Sequence, residues 1–418
     1  MLSGVSLNLS RDAASVNDRP SEFDRFAAME QPAHQRSLPY NPALDGLRGV
    51  AILLVVLHHA MQVPRDQSSP GSWFYSQLSM MGWIGVDLFF VLSGYLISAI
   101  LWRSFGREHW LRNFLARRAL RVLPLYFVVV LVCFNVLTWI PRSDLNWLRE
   151  LAGDQWWYWL HLANFRKIYA EVVPGAAPVG WFSTYWSLSI EEHFYLVWPL
   201  VMAWVRKQNV LKVAVVGILG VNLLRIGIAW HEWPEPWIYN NTLTRVDGLL
   251  LGSAMAVWNE GADRPVRWKA WAWLILAGSV LCFWLPPSCG WTEMSRRSFY
   301  GAAVLYPASV FGSAALLWLL IPSSQTGGAN QRTLMTCSFA NPILKMFGKY
   351  SYAIYVFNKP IIFGIATLVK LYLGPVSTIG ACGIFALICG ACLAVARISW
   401  LLIEQPCLRW KRFFPSHT

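Results

Sequence analysis

Ten apolar stretches, at about 44–62, 82–102, 121–140, 185–205, 211–231, 243–258, 269–286, 299–321, 351–372 and 378–403, leave this chain few ways to fold. Each is near the ~20 residues an α-helix needs to cross a bilayer, and in hydrocarbon the backbone must satisfy its own hydrogen bonds, as helices do. The expected fold class is therefore all-α, a polytopic membrane helix bundle of about ten transmembrane helices. A chain of 418 residues that is 56% hydrophobic and 14% charged is also too apolar for an ordinary soluble protein. Its 25 Trp and 15 Tyr suit the two interfacial belts. One further stretch, 155–165 (QWWYWLHLANF), is too short to span and reads as a re-entrant or interfacial segment. Residues 1–40 are polar and have no apolar core of signal-peptide length, so they read as a disordered tail. The membrane domain then runs over 41–410, followed by a short tail at 411–418.

Loop charges test this arrangement independently. Loops on the side of the amino-terminal tail, at 103–121, 206–212, 264–269, 332–349 and 409–412, hold eighteen Lys and Arg, and the opposite side holds seven. The positive-inside rule places both termini in the cytoplasm. The net charge of +13 is thus a topology signal, and nucleic acid is not an expected partner. Of the eight cysteines, Cys282 and Cys289 flank an outer loop where they could pair. Cys389 and Cys392 lie in an apolar Gly/Ala-rich run, where packing explains the spacing better than metal or redox chemistry. No metal motif, phosphate loop or nucleophile elbow is present, and no metal is expected.

Polar residues inside apolar spans are costly, and each is a functional-site hypothesis. In NPALDGLRGVAILLVVLHHA, Arg48 and His59 are eleven positions apart, about three turns or ~16 Å along one helix face. The second span carries Asp87 and Ser93, and the third opens on RRALR. There Arg118 and Arg121 share a face at i, i+3, two guanidinium forks suited to phosphate oxygens. In YWSLSIEEHFYLVWPL, Glu191 and Glu192 point about 100° apart, and Ser189, Glu192 and Tyr195 form a polar stripe. The two carboxylates either orient or deprotonate a hydroxyl, or neutralise buried arginines such as Arg225 and Arg245. Later come Arg245 and Asp247 in TRVDGLLLG, Tyr355, Asn358 and Lys359 in KYSYAIYVFNKPI, and Glu404 in IEQP.

The ordered set LDGLRGVAILLVVLHH, GVDLFFVLSGYLI, RRALRVLPLYF, WSLSIEEHFYLVWP, RVDGLLLG, GKYSYAIYVF and IEQP resembles the acyltransferase 3 family, bacterial membrane O-acyltransferases of surface glycans. The likeness runs from about Leu44 to Trp410. It implies an inner-membrane enzyme, an acyl-CoA donor, usually acetyl-CoA, and a polysaccharide or glycan acceptor. It implies that the family's Arg-x10-His pair is Arg48 and His59, and that Arg118 and Arg121 contact the donor. Where family members often carry His in YSLYLLH-x-P, this chain has Asn358, so any acceptor role of that His is altered or absent. Some relatives add an extracellular hydrolase-like domain. Here the chain ends soon after Glu404, and the membrane part is expected to act without one or with a separate partner.

On this reading acyl-CoA, a polyanion, docks at the cytoplasmic mouth on Arg118, Arg121 and Arg48. His59 then serves as general base on an acceptor hydroxyl or briefly takes the acyl group itself. Asp87, Glu191 or Glu192 would fix its tautomer. Arg48, His59, Glu191 and Glu192 are the expected catalytic set, and Asp87, Ser93, Tyr195 and Asn358 the expected substrate contacts. The aromatic run Trp156 to Trp159 would stack on sugar faces outside. Two rival classes share many of these residues, a proton-coupled transporter and a flippase or structural component of polysaccharide assembly. The matched Gly/Pro-broken halves typical of transporters are not evident.

Overall fold

The computed structural model describes residues 40–141, 143–205, 207–261, 267–288, 298–321 and 333–415. Residues 1–39 of the expected tail at 1–40, residues 416–418 of that at 411–418, and Cys289, which could pair with Cys282, lie outside the described residues. Long helices occupy all the predicted apolar stretches. They are α1 (Pro42–His59), α2 (Ile84–Ser104), α3 (Trp110–Asn135), α4 (Tyr185–Trp204), α5 (Val210–Trp230), α6 (Asp247–Gly261), α7 (Arg267–Ser288), α8 (Tyr306–Leu320, entered through a π-turn at Gly301–Leu305), α9 (Ser351–Tyr372) and α10 (Thr378–Ser399). Among the described residues, 7 helices are long and apolar enough to cross a membrane, and Trp268–Trp284 is a shorter apolar one. Of the remaining two, α4 carries Glu191, Glu192 and His193 in mid-helix and α6 has only 15 residues.

Two boundaries differ from the sequence pattern for physical reasons. Helix α3 begins at Trp110, well before the apolar run, because the Leu, Ala and Arg residues of LARRALR are good helix formers. Arg117, Arg118 and Arg121 therefore ride on the helix itself. The aromatic stretch forms a four-residue helix, Trp156–Trp159, then turns at His161, whose φ is 54°. It does not cross. Tyr158 is buried, its carbonyl accepts from the Tyr126 hydroxyl at 2.9 Å, and Trp159 stacks on Phe127.

Helix α2 is the spine of the bundle. It packs on α6, α1 and α8, whereas the outer helix α5 leaves Leu219 and Leu223 exposed. At the α2–α6 crossing the backbones meet at Gly94 and Gly252, where a methyl group on either would run into the other helix's main chain. Two buried ion pairs fasten the same region, Arg245 with Asp87 and Arg225 with Asp247. Ser309 of α8 donates to the second oxygen of Asp87 at 2.6 Å. Arg245 also lies against the rings of Tyr239 and Tyr306, 5.0 and 4.9 Å from their centroids. Cys389 and Cys392 are both buried in α10.

Candidate active site

Helix α1 is started by Asn41, whose side chain accepts from the Ala43 amide at 3.0 Å, with Pro42 pre-set for the first turn. Its last turn presents both histidines. His58 Nδ1 lies 2.9 Å from the Ser79 carbonyl, which can only accept, so this nitrogen carries a proton. His59 Nδ1 lies 2.7 Å from Oδ1 of Asn358 on α9. The Asn358 amide nitrogen donates to the carbonyls of Ile354 and Tyr355, at 3.2 and 2.6 Å, which fixes which end of the amide faces His59. Asn358 therefore accepts from His59, and in the neutral ring the lone pair falls to Nε2. None of the three carboxylates expected to set this tautomer does so. Asn358 is fully buried, and α9 is held by its Tyr355 hydroxyl, which donates to the Thr184 carbonyl at 3.0 Å.

His59 opens on a cavity of about 210 Å³. Its aromatic walls are Trp83, Trp186, Tyr239 and Tyr355, and its polar ones include Thr184, Asn240, Lys167 and Lys359. The Trp156–Trp159 run is not among them, because it packs against α3 instead.

A second cavity, of about 250 Å³, is lined by Ile100 and Ser104 of α2, by Arg117, Arg118 and Arg121 of α3, and by Lys411. Since Val86 lines the first cavity and Ile100 the second, the two open at opposite ends of α2, about 21 Å apart along its axis. Arg48 feels the charges of Arg118 and Arg121 and so belongs to the basic end. Arg118 lies over the ring of Tyr195, 5.5 Å from its centroid.

Between the cavities, at mid-height on α2, Ser93 donates to Glu191 at 3.2 Å, and Tyr195 donates to the other Glu191 oxygen at 2.8 Å. Tyr195 thus pairs with Glu191, one turn back. Glu191 also feels Arg118 and Arg48. Glu192 feels Glu191 and Arg118 but makes no hydrogen bond among the described residues. Asp87 is absorbed by its pair with Arg245, so the carboxylates that neutralise the two buried arginines are aspartates, not Glu191 or Glu192. The structure therefore gathers Arg48, Arg118 and Arg121 at one end, His59 with Asn358 at the other, and Ser93, Glu191 and Tyr195 between them. Among the described residues no group of three His, Cys, Asp or Glu is placed to hold a metal ion. Thr184 and Asn240 carry no sequence signal. Lys359 does, as a lysine inside an apolar span.

A profile of the acyltransferase domain family matches residues 41–396. Among curated proteins, the chain is 30% identical over 347 residues to the peptidoglycan O-acetyltransferase OatA of Listeria monocytogenes, covering 78% of this chain and 50% of that protein. It is 28% identical over 348 residues to the putative peptidoglycan O-acetyltransferase YrhL of Bacillus subtilis, covering 77% and 49%. It is 28% identical over 251 residues to the O-acetyltransferase OatA of Staphylococcus aureus, covering 57% and 37%. The chain spans about half the length of the first two relatives. No solved structure matches it significantly.

Proposed function

Since the chain belongs to the acyltransferase domain family, we propose that it is an O-acetyltransferase carrying an acetyl group from acetyl-CoA at the basic cavity to a glycan hydroxyl at the His59 cavity. The observation that carries this reading is the Asn358–His59 hydrogen bond, which leaves the lone pair on Nε2 in a ring that lines the cavity. Arg118 and Arg121, with Lys411 beside them, take the phosphates of CoA as charge-assisted forks. The acyl–pantetheine arm extends past the Ser93 level toward His59. There Nε2 takes the proton of the acceptor hydroxyl as its oxygen attacks the thioester carbon. The C–S bond breaks, and the imidazolium gives its proton to the departing thiolate.

The excess of loop Lys and Arg on that side supports a basic cavity at the cytoplasmic face of the membrane, with both termini inside. The acceptor is then a glycan of the outer face of the cell envelope, as the peptidoglycan named for the relatives suggests. The test is thioester cleavage by the purified protein. Acetyl-CoA should be consumed with acceptor present, and His59→Ala should lose at least about 100-fold in kcat, the contribution of a general base. Full activity without His59, or no CoA release with any glycan, would overturn the reading.

A further inference from the structure

Arg117, the first arginine of the RRALR run, donates from its guanidinium to the Phe414 carbonyl at 2.9 Å. One turn back on α3, the Asn113 amide donates to the Pro415 carbonyl at 3.0 Å. Pro415 thus lies opposite Asn113 and Phe414 opposite Arg117, so the chain leaving the 3-10 turn Trp410–Phe413 runs antiparallel to α3. That direction brings Lys411, within the turn, towards Arg121. Lys411 lines the basic cavity together with Arg117, Arg118 and Arg121, and it feels the charges of all three.

A lysine kept for topology alone could lie in water, as the exposed Arg412 beside it does. Lys411 is instead half-buried among like charges, an arrangement that costs free energy until an anion enters. The acid on the same wall, Glu108, is largely exposed and lies against His109 at 3.0 Å. Both tethers from α3 reach main-chain carbonyls, so what they fix is the path of the segment and not any one side chain in it.

Resting on the reading of this cavity as the donor site, we infer that Arg117 and Asn113 are positioning residues, which hold the segment Trp410–Pro415 along α3 so that Lys411 meets the phosphates of CoA beside Arg118 and Arg121. The three arginines then divide into two that bind the donor and one that places a cation from elsewhere in the chain. Arg117 gives a single bond to a carbonyl, which a lysine can also give, whereas a phosphate fork is lost on the same change.

The experiment measures binding of CoA itself to the purified full chain, with no acyl group and no acceptor, so that turnover plays no part. Lys411→Met should raise the Kd about tenfold, the scale of one charge-assisted contact, and Lys411→Arg should keep most of the affinity. Arg117→Ala should also raise it about tenfold, yet the double variant with Lys411→Met should stand at about tenfold, not at the roughly hundredfold of two independent contacts. Arg117→Lys should bind nearly as the wild type does. Asn113→Ala, which removes no charge, should weaken binding about threefold to tenfold on its own and add nothing to Lys411→Met. Losses that multiply in the double variant would make Arg117 a phosphate ligand in its own right and overturn the inference, as would undiminished affinity in Lys411→Met. Either result leaves the donor site standing. No binding of CoA by the wild type overturns both the inference and the reading of this cavity as the donor site.

Discussion

An asparagine orients an imidazole without adding charge to the site. Asn358 fixes the His59 tautomer by accepting one hydrogen bond, and its own position is fixed by donating two. Asn358→Leu should therefore lower kcat by about 10- to 100-fold, the usual scale for losing an orienting partner, with the donor KM little changed. Steady-state kinetics checks this split. His58 bonds to a backbone carbonyl, so His58→Ala should cost on the order of 1 kcal/mol of stability and far less activity than His59→Ala. Thermal unfolding beside the activity assay separates the two histidines. At the basic end, Arg118→Lys and Arg121→Lys keep the charge and lose the fork. Each should raise the donor KM by about tenfold, the scale of 1.4 kcal/mol in a charge-assisted contact, and an unchanged KM would reduce these arginines to topology anchors.

At the scale of helices, α2 is held by a close crossing and by a buried charge pair. Removing one member of such a pair strands the other in a dry interior, so Asp87→Asn should destabilise by about 3–5 kcal/mol. Asp87→Leu combined with Arg245→Met should cost much less than either single change, because no charge is then left unpaired. A denaturation cycle on the three variants decides this. Gly94→Ala and Gly252→Ala should each cost roughly 1–3 kcal/mol by forcing the helices apart. The elements themselves were legible in the sequence, because a span of about 20 apolar residues has almost no alternative to a helix. Partners were not. Asp87 and Arg245 are distant in sequence, and no local pattern says that an aspartate on α2 rather than a glutamate on α4 will meet that arginine. The start of α3 was missed for the opposite reason, since hydropathy falls at the arginines while helix propensity does not.

For the whole molecule, the sequence displayed the two ends of the site and their separation along α1, but not what surrounds each. Arg48 and His59 share a face of α1, yet one feels the arginines of the basic end and the other lines an aromatic cavity that holds two lysines and two glutamates. Which aromatic residues wall the acceptor side could not be read either, because QWWYWL has the composition of a sugar platform while its Tyr158 is consumed by packing on α3. Separation of the ends makes a vectorial prediction. In sealed right-side-out vesicles loaded with acetyl-CoA, an impermeant glycan outside should become acetylated, and radiolabel in the outer glycan measures it. Acetylation only of glycan enclosed with the donor would mean that both substrates meet on the inner side.

Two cavities that open at opposite ends of one membrane helix need a seal between them. What stands there is a knot of three side chains, Ser93, Glu191 and Tyr195, roofed by Arg118. Tyr195 is almost wholly buried there, so it serves as a gasket as much as a contact. Its replacement by Ala would open a polar track with a cation at its inner end. Protons and small anions, not acetyl groups, would be the first to use it. An energised membrane can lose its potential through such a bore long before any change in glycan chemistry is noticed.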